Sequence, residues 1–248
     1  MKSQTLIRGK AGRYDWGLIP LSDLQASKRL LHVVASRPEL GSVMRVYQPG
    51  PTLAFSRKEE TMPGFAEAVS EALAFGFEPV IRPAGGRMVA LDQQWLVVDI
   101  VSPEPDHAKP HRDVYTAYGD LFIEALASLG VQAGMGPVPG EYCPGDYSIN
   151  ARGAVKIVGT AQRVTRDARL FSASIPFEIT PSVREMFIRI NRILDLEWNP
   201  DTLGSISSEA PSVTLDELER ALIGVLAQDS ALECSLSDVF SSQSTAAA

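Results

Sequence analysis

Cys143 lies in the segment Glu141-Tyr-Cys-Pro-Gly-Asp146 of this 248-residue chain, within a stretch from 134 to 145 that is dense in glycine and proline. That density predicts a shaped loop without a regular element, which would hold the thiol in one direction. A thiolate placed in this way can carry an acyl group as a thioester. A free cysteine is also often a small buried hydrophobe, so the residue alone leaves both interpretations open.

Lys156 lies among apolar, β-forming residues in Ala154-Val-Lys-Ile-Val-Gly-Thr-Ala-Gln162. On a strand it points either to solvent, the usual place for lysine, or into a pocket. Mostly small residues follow it, and these would let a ligand lie against the strand: Gly159, Thr160, Ala161 and Gln162. A lysine beside such a groove can hold a carboxylate, a phosphate or an acyl carbonyl by its charge.

The segment Arg82-Pro-Ala-Gly-Gly-Arg87 places a glycine pair between two predicted strands. Paired glycines let backbone N–H groups approach an anion closely, and the two arginines add charged donors beside Gly85 and Gly86. The alternative is a hairpin turn with solvated arginines, because Gly-Gly is a common hairpin dipeptide. No Gly-Lys-Ser/Thr follows and no helix begins there, so the segment matches neither a P-loop nor a dinucleotide-binding fingerprint.

Two further groups of residues are weaker candidates. His107 and His111 have the i, i+4 spacing of metal ligands on a helix, but Pro110 places the helix start between them and no third ligand is near. We therefore expect exposed histidines and no metal site. Cys234, near the end of the sequence, has no supporting chemistry around it and is expected to be structural.

Composition narrows the functional classes. Lys and Arg total 23 against 30 for Asp and Glu, and the net charge of −7 argues against a nucleic-acid partner. Two cysteines cannot form a disulfide framework, which favours a reducing, cytoplasmic setting. No apolar stretch has the length of a signal peptide or a membrane span, so we expect no membrane association.

Hydrophobic periodicity predicts an alternation of helices and short strands. The predicted helices cover 21–36, 63–75, 112–129, 182–194 and 214–227, the last two opening with the capping-box patterns Ser182-Val-Arg-Glu185 and Thr214-Leu-Asp-Glu217. The predicted strands cover 42–48, 80–82, 88–91, 94–101, 147–150, 154–164 and 170–179. Hairpin-type turns outnumber long β–α–β crossovers, which favours an α+β fold with a mixed, mostly antiparallel sheet flanked by helices.

Taken together, the segments resemble the superfamily of lipoate-protein ligases, biotin-protein ligases and octanoyltransferases. The shared pattern is Arg-x-x-Gly-Gly from Arg82, then Val89 and Asp92, then the strand Lys156-Ile-Val-Gly-Thr-Ala-Gln162. The resemblance implies a ligase-like catalytic domain, for which we expect the bounds 1–198. Residues 199–248 would then be a linker, a short helix and a flexible tail.

Cys-Pro-Gly before a Tyr-Ser-Ile strand is most similar to the cysteine-dependent octanoyl transferases and amidotransferases of lipoate assembly. The resemblance implies transfer of an octanoyl or lipoyl group from a donor to a lysine of a lipoyl-carrier protein, either the glycine cleavage H protein or a 2-oxoacid dehydrogenase E2 component. Cys143 would be the nucleophile and Lys156 would polarise the acyl carbonyl, with no cofactor. The substrate-binding residues expected are Arg82, Gly85, Gly86, Arg87, Gly159, Thr160, Ala161 and Gln162.

Two alternatives remain within the same resemblance. An ATP-dependent lipoate-protein ligase would use ATP and Mg to form lipoyl-AMP in the same pocket, with Lys156 contacting that intermediate. A catalytically silent acyl- or lipoyl-binding protein would keep the fold without turnover. The departures from the family pattern motivate this second alternative, because Arg87 stands where a third small residue is usual and Asp99 lies on the strand where the family has Ser or Asn.

Overall fold

A computed structural model describes residues 4–9, 14–16, 19–103, 110–227 and 231–241. The helices are α1 (Asp23–Ser36), α2 (Phe65–Ala74), α3 (His111–Ser128), α4 (Pro181–Ile193), α5 (Ile206–Glu209), α6 (Leu215–Leu226) and α7 (Leu236–Ser241). The strands are β1 (Gln4–Gly9), β2 (Tyr14–Trp16), β3 (Ile19–Leu21), β4 (Ser42–Tyr47), β5 (Thr52–Phe55), β6 (Glu78–Ile81), β7 (Val89–Leu91), β8 (Trp95–Pro103), β9 (Ala133–Met135), β10 (Ile149–Ala151), β11 (Val155–Val164), β12 (Ala168–Pro176) and β13 (Leu232–Glu233).

One large sheet organises the described part of the chain. Its strand order is β13-β1-β4-β8-β12-β11-β10-β9, and its strands pair antiparallel from β4 through to β9. At the other edge, β1 pairs in parallel with both β4 and β13. This confirms the α+β class with a mixed, mostly antiparallel sheet, and β8 lies inside the sheet as its apolar sequence predicts.

A smaller sheet, ordered β6-β5-β7, lies over the large one and positions the glycine-pair loop. Val89 and Leu91 of β7 pack with Val97 of β8 in one buried cluster. The loop from 82 to 88 therefore joins two strands that each pair with β5 rather than with each other. The hairpin interpretation of the glycine pair is wrong, because the intervening β5 separates the strands on either side.

Of the two capping boxes predicted from the sequence, the structure contains one. The Thr214–Glu217 capping box at the start of α6 is confirmed, since the side chains and backbone N–H groups bond reciprocally. The box predicted at Ser182 is wrong. Thr180 is the N-cap of α4 and accepts from the Val183 N–H, because Pro181 at the first helical position fixes the entry geometry two residues earlier.

The glycine-rich stretch from 134 to 145 is not wholly irregular, contrary to the prediction from its composition. Its first two residues belong to β9, where Gly134 pairs with Asn150 of β10. The rest, from 136 onward, is the loop that carries Cys143. The predicted turn at Gly153 is confirmed: Arg152 and Gly153 both have positive φ, as a primed hairpin turn between β10 and β11 requires.

The C-terminal helices pack onto the same core as the sheet. Leu218 and Leu222 of α6 are fully buried, in one cluster with Phe122 of α3. The boundary after residue 198 stays a prediction, as does the tail, of which residues 242–248 lie outside the described residues. No helix in the described ranges is both long enough and apolar enough to cross a membrane.

Candidate active site

A buried carboxylate organises the loop that carries Cys143. Glu141 is only 1% exposed, and its side chain accepts hydrogen bonds from the N–H groups of Val138 (3.3 Å) and Gly145 (3.2 Å) and from the Ser148 hydroxyl (2.8 Å). These three donors come from both sides of the cysteine. The loop is therefore held around its own interior carboxylate, which fixes the direction of the thiol.

Lys156 reaches this loop from β11. Its side chain is buried, with 5% of the residue exposed, so the solvent-facing alternative is excluded. The Nζ atom lies 2.9 Å from Glu141 Oε2 and donates to the backbone carbonyl of Cys143 at 2.7 Å. The ammonium also lies 5.2 Å from the ring centroid of Tyr142, whose pKa is raised by burial. Lysine and cysteine are thus joined through one backbone carbonyl.

A β-bulge places the lysine on the side of the sheet that faces the site. Ile149 of β10 pairs with Val158, and the next residue, Asn150, pairs with Lys156, so β11 uses two residues where β10 uses one. The extra residue changes the alternation of side chains along β11. As a result Lys156 and Gly159, an odd number of positions apart, both line the same cavity.

The glycine-pair loop closes over the sulfur of Cys143. The backbone N–H of Arg87 donates to Cys143 Sγ at 3.1 Å, and the Arg87 guanidinium donates to the carbonyl of Tyr142 at 3.2 Å. Arg82 in turn donates to the carbonyl of Arg87. The arginine that departs from the family pattern therefore clamps the two loops together by its contacts with backbone atoms.

Gly86 is required at this closure. Its φ is +95°, and a Cβ built on it would lie 2.4 Å from Arg82 Nη2 and 3.1 Å from Cys143 Sγ. At Gly85, by contrast, no heavy atom of the described residues lies within 4 Å of such a Cβ. The two neighbouring glycines thus form a matched pair, of which only one touches the cysteine.

We expect Gly86→Ala to lower the acyl transfer that the sequence resemblance implies by at least about tenfold, because the methyl group must displace the arginine or the sulfur from its position. Gly85→Ala should lower the rate less than Gly86→Ala, because its methyl group meets no described atom within 4 Å. The measurement is the initial rate of acyl transfer, with the two variants at equal concentrations of folded protein. Equal losses in the two variants would contradict this account of the loop.

Two spaces share Cys143 as a lining residue. The first is a cleft of about 1030 Å³, and Gly85, Gly86 and Gln162 are among its other lining residues. The second is a narrow cavity of about 50 Å³, which is also lined by Lys156 and by Gly159, Thr160 and Ala161 of the same strand. Three of the predicted site residues line both spaces: Cys143, Arg82 and Arg87. The structure thus brings all the predicted site residues around one cysteine.

Some of the predicted residues also form hydrogen bonds to the backbone around the site. The Gln162 side chain donates to the carbonyl of His111 at 3.0 Å, and the Thr160 hydroxyl donates to the carbonyl of Tyr147 at 3.2 Å. Asp92 accepts from the Gln94 N–H at 2.8 Å and so stabilises the turn before β8, outside both spaces. The Gln162 and Thr160 contacts therefore fix the walls of the site, and the Asp92 contact supports the strand behind it.

The remaining candidates lie elsewhere. His111 is exposed at the start of α3, and His107 lies outside the described residues. Cys234 packs near the α1 side of the sheet, in a different cluster from the site. Within the described ranges, no group of three or more His, Cys, Asp or Glu residues is arranged to hold a metal ion.

Glu141 is the residue that the sequence interpretation missed. It was visible two positions before Cys143, but a carboxylate in a loop is usually solvated, and only the tertiary structure shows it buried against Lys156. A usable signal was the density of glycine and proline around it. A loop without regular hydrogen bonding needs a side chain to satisfy its backbone N–H groups.

Comparison with known proteins supplies independent information. The family model of the lipoyl protein ligase A/B catalytic domain matches residues 20–227. An octanoyl-GcvH:protein N-octanoyltransferase of Geobacillus kaustophilus is 30% identical over 125 residues, which are 50% of this chain and 44% of that enzyme. The chain matches about half the length of the relatives of this kind.

Solved structures of lipoate-protein ligases share the fold. A lipoate-protein ligase A bound with ATP superposes with a TM-score of 0.69 at 16% identity, covering 98% of this chain and 94% of that chain. A bipartite lipoate protein ligase from Thermoplasma acidophilum, studied with its E2 lipoyl domain, has a TM-score of 0.63 at 14% identity, with 98% and 91% covered.

Proposed function

The chain belongs to the lipoyl protein ligase A/B catalytic-domain family, and we propose that it is an acyltransferase of lipoate metabolism. In this proposal it moves an octanoyl or lipoyl group from a donor to a lysine of a lipoyl-carrier protein. The carrier would be the glycine cleavage H protein or the lipoyl domain of a 2-oxoacid dehydrogenase E2 component. Two names support these partner classes: that of the similar octanoyltransferases, in which GcvH carries the octanoyl group, and that of the archaeal ligase, which was studied with its E2 lipoyl domain.

One observation carries the proposal: a cysteine and a buried lysine line the same narrow cavity. Cys143 also lines the broad cleft, so its thiol can meet a protein substrate in the cleft and an acyl chain in the cavity. In such a cavity a few placed polar groups are enough to fix the orientation of a ligand. Cys143 and Lys156 are those groups.

The first step of the proposed reaction acylates the cysteine. The Cys143 sulfur, as thiolate, attacks the carbonyl carbon of the donor thioester, the new C–S bond forms and the donor leaves as its thiol after taking up a proton. Two N–H donors of the Lys156 ammonium are used by Glu141 and the Cys143 carbonyl. Because an ammonium has three, the third is left to polarise the acyl oxygen.

The second step of the proposed reaction removes the acyl group from Cys143. The neutral amine of the carrier lysine attacks the thioester carbonyl, the C–N bond of the amide forms and the Cys143 sulfur leaves and regains a proton. Covalent capture thus divides amide formation into two thioester displacements and requires no nucleotide. We place the reaction in the cytoplasm, where the cysteine stays reduced, without a nucleic-acid or membrane partner.

A second candidate, the ATP-dependent ligase, is favoured by the charge of the cleft. Cationic side chains line it (Lys28, Arg57, Lys58, Arg82, Arg87 and Arg163), along with Glu59 and Glu78. An excess of positive charge suits the phosphates of ATP and Mg. Arg82 and Arg87, however, already donate to backbone carbonyls of the two loops, which is why we rank this route second.

The test is acyl transfer from a donor protein that carries octanoyl as a thioester to the lysine of a lipoyl domain, without ATP, followed by mass analysis of the acceptor lysine. The proposal predicts an octanoylated lysine. Transfer that appears only when free lipoate or octanoate is supplied with ATP, together with pyrophosphate release, would establish the ligase instead. Tight retention of the acyl ligand without turnover on either carrier would identify a silent binding protein.

A further inference from the structure

Residues on one face of the large sheet form two aligned rows beneath the narrow cavity. The pairing registers align Gly159, Ser174, Val97 and Tyr47 in the first row. They align Ala161, Ser172, Asp99 and Arg45 in the second. Directly opposed residues of antiparallel strands project from the same face, so each row crosses β11, β12, β8 and β4 in turn.

The side chains in these rows are small near the lysine and large farther away. Gly159 and Ala161 on β11, then Ser174 and Ser172 on β12, leave a trough over two strands. A Cβ built on Gly159 would lie 3.6 Å from the Cε atom of Lys156, which places the trough directly beside the lysine. The trough therefore starts at the reacting groups and runs across the sheet.

Asp99 stands at the far end of the trough. It is buried, lines the narrow cavity and accepts a hydrogen bond from the Ser27 hydroxyl of α1, with Ser172 as a second partner. Behind it, Arg45 donates to Ser27 Oγ at 3.1 Å and forms a 2.6 Å ion pair with Asp23. This network connects β4, β8 and α1, so the aspartate cannot turn away without breaking it.

We propose that Asp99 is the specificity-determining residue that limits the acyl chain to about eight carbons. This rests on the proposed function. From β11 to β8 the trough crosses two strand spacings, about 10 Å, which is the reach of an extended eight-carbon acyl group. A longer chain would press its apolar end against a carboxylate and its hydrogen-bond network, which costs free energy instead of gaining it. Burial raises the pKa of the Asp99 carboxyl, because the protein interior disfavours its charged form.

The experiment uses soluble N-acetylcysteamine thioesters with acyl chains of four to twelve carbons and measures the rate of acyl addition to Cys143 by intact mass. Up to eight carbons, we expect the rate per unit donor concentration to rise about fourfold for each added methylene that becomes buried. Beyond eight carbons it should fall at least about tenfold, since the added methylenes no longer find apolar surface.

Two variants change this limit in opposite directions. Asp99→Ala removes the end wall and should raise the ratio of the ten-carbon to the eight-carbon rate at least about tenfold. Ser174→Leu fills the trough nearer to the lysine, outside the aspartate network, and should lower the eight-carbon rate at least about tenfold relative to the four-carbon rate. The second variant tests the course of the trough independently of Asp99, and the chain-length profile of the unchanged protein keeps the test decisive if Asp99→Ala does not fold.

The outcomes separate the two proposals. Equal rates with eight and twelve carbons, or a folded Asp99→Ala variant with the ten-to-eight-carbon ratio of the unchanged protein, would overturn the role of Asp99. A Ser174→Leu variant with the chain-length profile of the unchanged protein would overturn the role of the trough. Each of these results would leave the acyl transfer intact. Absence of a Cys143 adduct with every chain length, from thioesters and from a loaded carrier alike, would overturn the proposed function and this inference with it.

Discussion

Cys143→Ala is expected to abolish acyl transfer, with a loss of about 10³-fold or more, because a thioester needs a thiol and, among the described residues, Cys143 is the one cysteine that lines the cleft or the cavity. The fold should survive, since Cys143 is only partly buried and its sulfur accepts one backbone hydrogen bond, from the Arg87 N–H. The measurement is the rate of octanoyl transfer to a lipoyl domain. Thermal unfolding, recorded alongside, establishes that the variant is folded.

Cys234→Ala is the matched control, because the sequence contains two cysteines and both are partly buried. Cys234 packs with the α1 side of the sheet, away from the cleft. We expect its removal to leave transfer within about twofold of the unchanged protein. Transfer that survives Cys143→Ala, or that depends equally on both cysteines, would contradict a single nucleophile at position 143.

Lys156→Met should give the second large effect, on both stability and activity. The substitution leaves Glu141 as a buried carboxylate without its cation, and breaking a buried pair in this way costs about 3–5 kcal/mol of folding free energy. Loss of the donor beside the acyl carbonyl should lower transfer by about 10²-fold or more in the protein that remains folded. Denaturant unfolding and initial rates measure the two effects separately.

A double variant separates these two consequences. Glu141→Gln together with Lys156→Met removes both charges, so most of the lost stability should return, while the rate stays low because the ammonium is still absent. The amide oxygen of the new side chain can still accept from the N–H groups that hold the loop, so the position of Cys143 is kept. Recovery of the rate along with the stability would show that the lysine acts only as a structural partner of Glu141.

The sequence was sufficient to predict those helices and strands that neighbouring residues specify on their own. The amphipathic stretch of α1, the apolar run of β8 and the Thr214 capping box each specify an element through neighbouring residues alone. The box at Ser182 failed because two competing caps lie two residues apart, and Pro181 decides between them by fixing the backbone. The choice between the two caps depends on the backbone geometry at the start of α4, which hydrophobic periodicity does not predict.

The site was predictable in its members and not in its contacts. Residue type and neighbours made Cys143 and Lys156 candidates, the family resemblance supplied their roles, and the structure places both on one cavity. Contacts between segments that are distant in sequence determine the roles of Glu141, Arg87 and Asp99. The β-bulge in β11 also contributes to the site, and no local sequence pattern predicts it. Charged side chains are normally solvated, so their burial follows only from the three-dimensional packing.

The most direct test of the central claim is to quench the unchanged protein after reaction with an octanoyl thioester donor alone, weigh it intact and map the adduct by peptide mass. The account predicts one octanoyl group on Cys143, labile to hydroxylamine as a thioester is, that disappears when the acceptor lipoyl domain is added. Transfer that proceeds with no adduct on Cys143, or with a stable adduct on another residue, would contradict it.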